Sequence, residues 1–141
     1  MTVACQERIL LVENDEDVAV VMKARLESAG YDVHTETYGA AALGYAAQQL
    51  VDLVILDVQL PDLSGYEVCQ ELRQLCPRSD ITLSVLVFTG SQGPQGMVDE
   101  ISAMVSGADA YLTKRCDPSE LMTLVDQLLH QPELRPASSR F

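Results

Sequence analysis

Three short runs, Ile9–Val12, Leu53–Leu56 and Leu83–Phe88, constrain this sequence most. Each is too short for a helix and too uniformly apolar for a strand with one wet face, so each reads as a strand buried on both sides. Two weaker extended candidates, Tyr31–Thr35 and Asp109–Thr113, bring the number of strands to five. Between the strands, apolar residues recur at helical spacing: Val18/Val21/Met22/Leu26, Leu43/Ala47/Leu50, Val68/Leu72/Leu75, Met97/Ile101/Met104/Val105 and Leu121/Leu124/Val125/Leu128. Strand and helix thus alternate five times. That pattern points to a parallel sheet covered by helices on both faces, a doubly wound α/β domain, since closing a barrel would take eight such units.

Local punctuation agrees. Ser64-x-x-Glu67 has the spacing of a capping box, and Asp117-Pro118-x-Glu120 puts proline at the first helical position, where its missing N–H costs nothing. Gly30 and Gly107 fall where helices need a C-terminal cap. A length of 141 residues suits one domain with one core. Residues 1–6 read as an N-terminal extension, 7–130 as the domain, and 131–141, with Pro132 and Pro136, as a tail or linker.

Charge and composition exclude several function classes. Twenty-one acidic against nine basic residues give a net charge of −12, which repels nucleic acid and anionic lipid surfaces. No apolar run approaches the ~20 residues of a membrane span, and the N-terminus has neither the basic start nor the apolar centre of an export signal. The expectation is a cytoplasmic protein that binds neither DNA, RNA nor membrane. Cys5, Cys69, Cys76 and Cys116 form no CxxC pair or zinc spacing, so they read as free thiols.

In an open parallel sheet, ligands bind beyond the carboxyl ends of the strands. The residues found there are Glu13, Asn14 and Asp15 after the first strand, Asp57 after the third, Thr89 after the fourth and Lys114 after the fifth. Taken singly, an acid after a strand is often a helix N-cap, and a lysine near a surface is usually solvated. Together they select one corner of the fold. Carboxylates crowded there repel one another unless a cation lies between them, and an all-oxygen donor set suits Mg²⁺. Such a site also suits an aspartyl phosphate: Asp57 would attack phosphorus while the metal and Lys114 neutralise phosphoryl charge and Thr89 donates a hydrogen bond.

The stretches "ILLVEND", "DLVILDVQLPDLSGYEV", "VLVFTG" and "GADAYLTK", in that order, resemble the receiver domain of two-component response regulators over about Glu7 to Leu129. The resemblance implies a flavodoxin-like fold with strand order 2-1-3-4-5 and five helices. It implies that Asp57 takes a phosphoryl group from a sensor histidine kinase or a histidine phosphotransfer protein and then switches a surface that binds a downstream effector or a second copy of the chain. It makes Glu13, Asn14, Asp57 and the backbone carbonyl of Gln59 the Mg²⁺ ligands, Lys114 the phosphate-facing lysine, and Thr89 and Tyr111 the switch pair. No enzyme is implied beyond the domain's own phosphotransfer and dephosphorylation.

Three departures from the family pattern bear on that expectation. Asn14 stands where a second acid is usual. Arg115 follows the lysine in place of a proline, so the Lys114–Arg115 bond is expected to be trans. Gly90 to Gly96 lead into the fourth helix through a glycine-rich connection that counts about three residues longer than usual. The alternative reading is a phosphorylation-independent interaction module. A flavodoxin-type cofactor domain would need a hydroxyl- and glycine-rich phosphate cradle after the first strand, and an aspartyl phosphatase would need an acid at Gln59.

Overall fold

Strands and helices alternate in the order β1 (Arg8–Val12), α1 (Glu16–Ser28), β2 (Asp32–Glu36), α2 (Gly39–Gln48), β3 (Leu53–Leu56), α3 (Gly65–Leu75), β4 (Ser84–Thr89), α4 (Gly93–Ser106), β5 (Ala110–Thr113) and α5 (Pro118–His130). The computed structural model describes residues 6–75, 83–90 and 93–130, the backbone alone over 93–99. Residues 1–5, the tail 131–141, Cys5 and Cys76 lie outside the described residues. All five strands are parallel, in the order β2-β1-β3-β4-β5. The flavodoxin-like topology read from the family resemblance is therefore the one found.

Side-chain alternation along the buried strands divides the core in two. Ile9, Leu11, Leu53, Ile55, Leu86 and Phe88 point to one face, where Met22 and Leu26 of α1 and Leu121, Leu124, Val125 and Leu128 of α5 cover them. Leu10, Val12, Val54, Leu56, Val85 and Val87 point to the other, beneath Ala42 of α2, Val68, Cys69 and Leu72 of α3, and Ala103 of α4. Each fully buried Leu, Ile or Val contributes on the order of 1.5–3 kcal/mol relative to exposure.

The caps form as expected at several ends. Glu67 N–H donates to Ser64 Oγ at 3.1 Å while Ser64 N–H donates to Glu67 Oε1 at 3.2 Å, a reciprocal capping box. Gly30 and Gly107 close α1 and α4 with φ of 99° and 105°, where any Cβ is strained. No cis peptide occurs among the described residues, so Lys114–Arg115 is trans. Cys69 and Cys116 carry free thiols.

Helix faces differ from the periodicity in instructive places. On α5 all four expected residues are buried. On α4, Ile101 and Val105 are 62% and 79% exposed, and Ala103 is buried instead. On α2 the buried positions are Gly39 and Ala42, while Leu50 lies past the helix end, 75% exposed. Leu43 and Met104 still pack against the core, but where small residues allow a helix to approach closely they take the buried positions and part of the larger apolar set stays outside. The connection into α4 is also shorter than its glycines suggest, because the helix begins at Gly93. Pro94 is compatible with a first turn, whose N–H groups have no intrahelical acceptor.

Candidate functional site

The carboxyl ends of β1, β3, β4 and β5 meet at one edge of the sheet. Asp57 N–H donates to Val12 O at 2.9 Å, and Lys114 N–H donates to Thr89 O at 2.7 Å, so strand pairing itself fixes the backbone of three expected site residues. A cleft of about 420 Å³ opens there, lined by Glu13, Asn14, Asp15, Asp57, Gln59, Thr89, Gly90 and Lys114. Every expected site residue except Tyr111 lines it. Tyr111 is half-buried and packs against the core beneath α2, α3 and α4.

At the centre, Lys114 Nζ donates to Glu13 Oε2 at 2.9 Å and to Asp57 Oδ2 at 3.2 Å. Both acids are buried, with 3% and 6% of their surface exposed. Asp15 N–H donates to the same Glu13 oxygen at 3.0 Å, and Gln59 N–H donates to Asp57 Oδ1 at 3.3 Å. The Asp15 side chain is engaged elsewhere. Its Oδ1 accepts from Asp17 and Val18 N–H and caps α1, as an acid directly before a helix should.

The charges do not balance. Two buried carboxylates share one ammonium. Burial pushes the Glu13 carboxyl above its ordinary range; the bonds from Asp15 and Lys114 only partly oppose this, and the nearby Asp57 charge adds to it. Burial also acts to lower the Lys114 pKa, but the hydrogen bond to Glu13 and the charge of Asp57 outweigh it and raise the group above the usual lysine value. The ammonium is thus held charged among acids that it does not fully neutralise. An additional cation fits this excess, and the lining offers hard oxygen donors: two carboxylates, the Asn14 amide and the Gln59 backbone. Among the described residues no three His, Cys, Asp or Glu side chains gather into a metal cluster, so the donor set rests on those neutral groups as well.

Two contributors escape sequence reasoning. A Cβ on Gly65 would lie 2.3 Å from the carbonyl oxygen of Asp57, so only glycine lets α3 start against the backbone of the site. Asp62, in the same β3–α3 loop, bonds the first amides of α2. Gly65 had a signal, as a glycine beside the Ser64 capping box. Asp62 had none, since its partners lie 22 and 23 residues away.

The sequence model of the response regulator receiver domain matches residues 9–126. This chain belongs to the response regulator receiver family. The receiver domain is 35% identical over 133 residues to the alkaline phosphatase synthesis transcriptional regulatory protein PhoP of Bacillus subtilis, covering 94% of this chain and 52% of that protein. It is likewise 35% identical to the DNA-binding dual master transcriptional regulator RpaA of a Synechocystis species, covering 94% and 53%. The chain spans about half the length of the curated relatives it matches. Among solved structures it resembles a CheY-like receiver domain protein from Methanospirillum hungatei, with TM-score 0.81 and 26% identity over 92% of this chain and 98% of that one. The BeF3-activated N-terminal receiver domain of Klebsiella pneumoniae RstA gives TM-score 0.78 and 27% identity over 89% and 100%.

Proposed function

We propose that this receiver domain accepts a phosphoryl group on Asp57 from the phosphohistidine of a sensor histidine kinase or histidine phosphotransfer protein. The observation that carries this reading is the Lys114 ammonium held between the buried carboxylates of Glu13 and Asp57 at the carboxyl edge of the sheet. An Asp57 oxygen forms the new O–P bond as the donor's N–P bond breaks. Lys114, 3.2 Å from Asp57 Oδ2, moves onto the incoming phosphoryl oxygens. Gln59 N–H holds the other carboxylate oxygen, which limits the orientations from which Asp57 attacks. The Thr89 hydroxyl, at the end of β4, takes a hydrogen bond role toward the phosphoryl group, and Tyr111 is its switch partner.

Glu13, Asn14, Asp57 and the backbone carbonyl of Gln59 would hold Mg²⁺, which supplies further neutralisation of phosphoryl charge when bound. The RstA receiver domain is BeF3-activated, which supports a receiver of this fold that is switched by an added group. The PhoP and RpaA relatives, transcriptional regulators, support an output in transcription through an effector. A second copy of the chain is another candidate partner. Action in the cytoplasm is part of this reading; among the described residues no helix is long and apolar enough to cross a membrane.

One observation favours a second reading, a phosphorylation-independent interaction module: Asn14 stands at the cleft where an acid would hold a cation more strongly beside the buried carboxylates of Glu13 and Asp57. Phosphate-affinity electrophoresis after incubation with acetyl phosphate decides between them. A slower band that requires Mg²⁺ supports the phosphoacceptor; no band at any Mg²⁺ concentration supports the interaction module.

A further inference from the structure

Helix α2 starts without a cap of its own. Tyr38, its N-cap residue, has extended backbone (φ −108°, ψ 141°), and its side chain bonds no amide of the first turn. The orphan N–H groups there need another acceptor. Asp62 supplies it from the β3–α3 loop: Oδ1 accepts from Gly39 N–H at 2.8 Å and Oδ2 from Ala40 N–H at 3.0 Å, while Oδ1 also accepts from Leu63 N–H at 2.9 Å. The approach is close. A Cβ on Gly39 would lie 2.8 Å from Val68 Cγ2 and 3.1 Å from Leu63 Cβ, so the start of α2 lies directly against the loop and α3.

The same loop carries Asp57 at its start. It turns back on itself through an isolated antiparallel bridge between Gln59 and Ser64 and closes where Gly65 N–H donates to Val58 O at 2.8 Å. Its base is thereby closed at Val58 and Gln59, the two residues that follow Asp57. Its tip, at Asp62, is fixed to α2. Gln59, at that base, reaches Asp57 Oδ1 with its N–H at 3.3 Å, near the outer limit of an N–H···O bond and therefore sensitive to small displacements of the loop.

We infer that Asp62 is a positioning residue for the phosphoacceptor site, holding the loop by capping α2 so that Gln59 stays against the Asp57 carboxylate. The inference rests on the phosphoacceptor reading. It differs from an ordinary capping role in one respect: the helix could be capped from its own end without holding the loop at all. The extended backbone at Tyr38 suits a serine N-cap, so Tyr38→Ser separates the two roles.

The test measures Mg²⁺ affinity by calorimetry, labelling by acetyl phosphate and Tm on the whole chain. Asp62→Ala should lower Tm and weaken Mg²⁺ roughly tenfold, the low end of what partners of metal ligands contribute. Adding Tyr38→Ser should restore Tm and leave Mg²⁺ affinity and labelling rate impaired. Asp62→Asn, which keeps an oxygen for Gly39 and Leu63 but loses the acceptor for Ala40, should fall between Asp62→Ala and wild type. Recovery of Mg²⁺ affinity together with Tm in the double variant would reduce Asp62 to a cap and overturn the inference, as would unchanged affinity in Asp62→Ala. A wild-type chain that neither binds Mg²⁺ nor takes label overturns the phosphoacceptor reading itself, and the inference with it.

Discussion

The two edges of the sheet each bury a cluster of charges, and the clusters are built on opposite plans. At the amino edge, Arg73 of α3 donates from Nε to Gly107 O at 2.8 Å, from Nη1 to Leu83 O at 2.6 Å and from Nη2 to Asp109 Oδ2 at 2.5 Å. Val85 N–H donates to the same Asp109 oxygen at 2.9 Å. One cation meets one anion, and every guanidinium nitrogen has an acceptor. At the carboxyl edge one ammonium serves two buried carboxylates beside an open cleft. A buried charge set that closes on itself ties elements together; one left unbalanced is suited to receiving another charge.

Substitution at the amino edge should give the largest effect. Asp109→Ala leaves the Arg73 guanidinium and Val85 N–H without their shared acceptor, and should destabilise the fold by about 3–5 kcal/mol in urea unfolding. A cost comparable to a surface substitution would remove the distinction between the two edges. Glu13→Gln should do the reverse in Mg²⁺-free buffer, stabilising by about 1–2 kcal/mol, because an amide oxygen still accepts from Lys114 and Asp15 while the surplus charge is gone. Added Mg²⁺ should then stabilise wild type more than the variant. Loss of stability in metal-free Glu13→Gln would show that the carboxyl edge is balanced after all.

Asn14→Asp sharpens the comparison from the other side. A unit charge ~4 Å from a divalent ion gains several kcal/mol at an effective dielectric of ~20, and desolvation with repulsion from Glu13 and Asp57 removes most of it. We expect Mg²⁺ to bind roughly tenfold tighter by calorimetry. Asp15→Asn should change affinity less, since the Asp15 carboxylate caps α1. If Asp15→Asn abolishes binding and Asn14→Asp leaves it unchanged, the metal assignment belongs to Asp15.

The smallest effect concerns pH. Hydrogen bonds from Ala40 N–H and then Gly39 N–H hold the fully exposed Asp62 carboxyl below its ordinary range. A depressed carboxyl favours the fold above its unfolded pKa, and that contribution is lost as pH falls through the folded value. Amide exchange protection at Gly39 and Ala40 should therefore decline in acid, and Asp62→Asn should flatten the decline. Equal pH dependence in both proteins would detach Asp62 from the α2 cap.

What the sequence revealed depended on how local each interaction is. The strands Leu53–Leu56 and Ile9–Val12 were legible because burial on both faces leaves no alternative to apolar residues. The α5 face was legible because its contact residues are its large ones. The α4 and α2 faces were legible only in part: Met104 and Leu43 pack against the core, but Ala103 and Ala42 are the buried contacts, while Ile101, Val105 and Leu50 remain exposed. The convergence of Glu13, Asp57, Thr89 and Lys114 followed from their places at strand ends, which a parallel sheet gathers at one edge. The Asp62 bonds to α2 and the Arg73–Asp109 pair join residues far apart in sequence through side-chain geometry, for which no local pattern exists.

The most direct measurement is the site of labelling. After incubation with acetyl phosphate and Mg²⁺, peptide mapping by mass spectrometry should place the phosphoryl group on Asp57, and Asp57→Asn should remain unlabelled. Label on a different residue, or undiminished label in Asp57→Asn, would contradict the account.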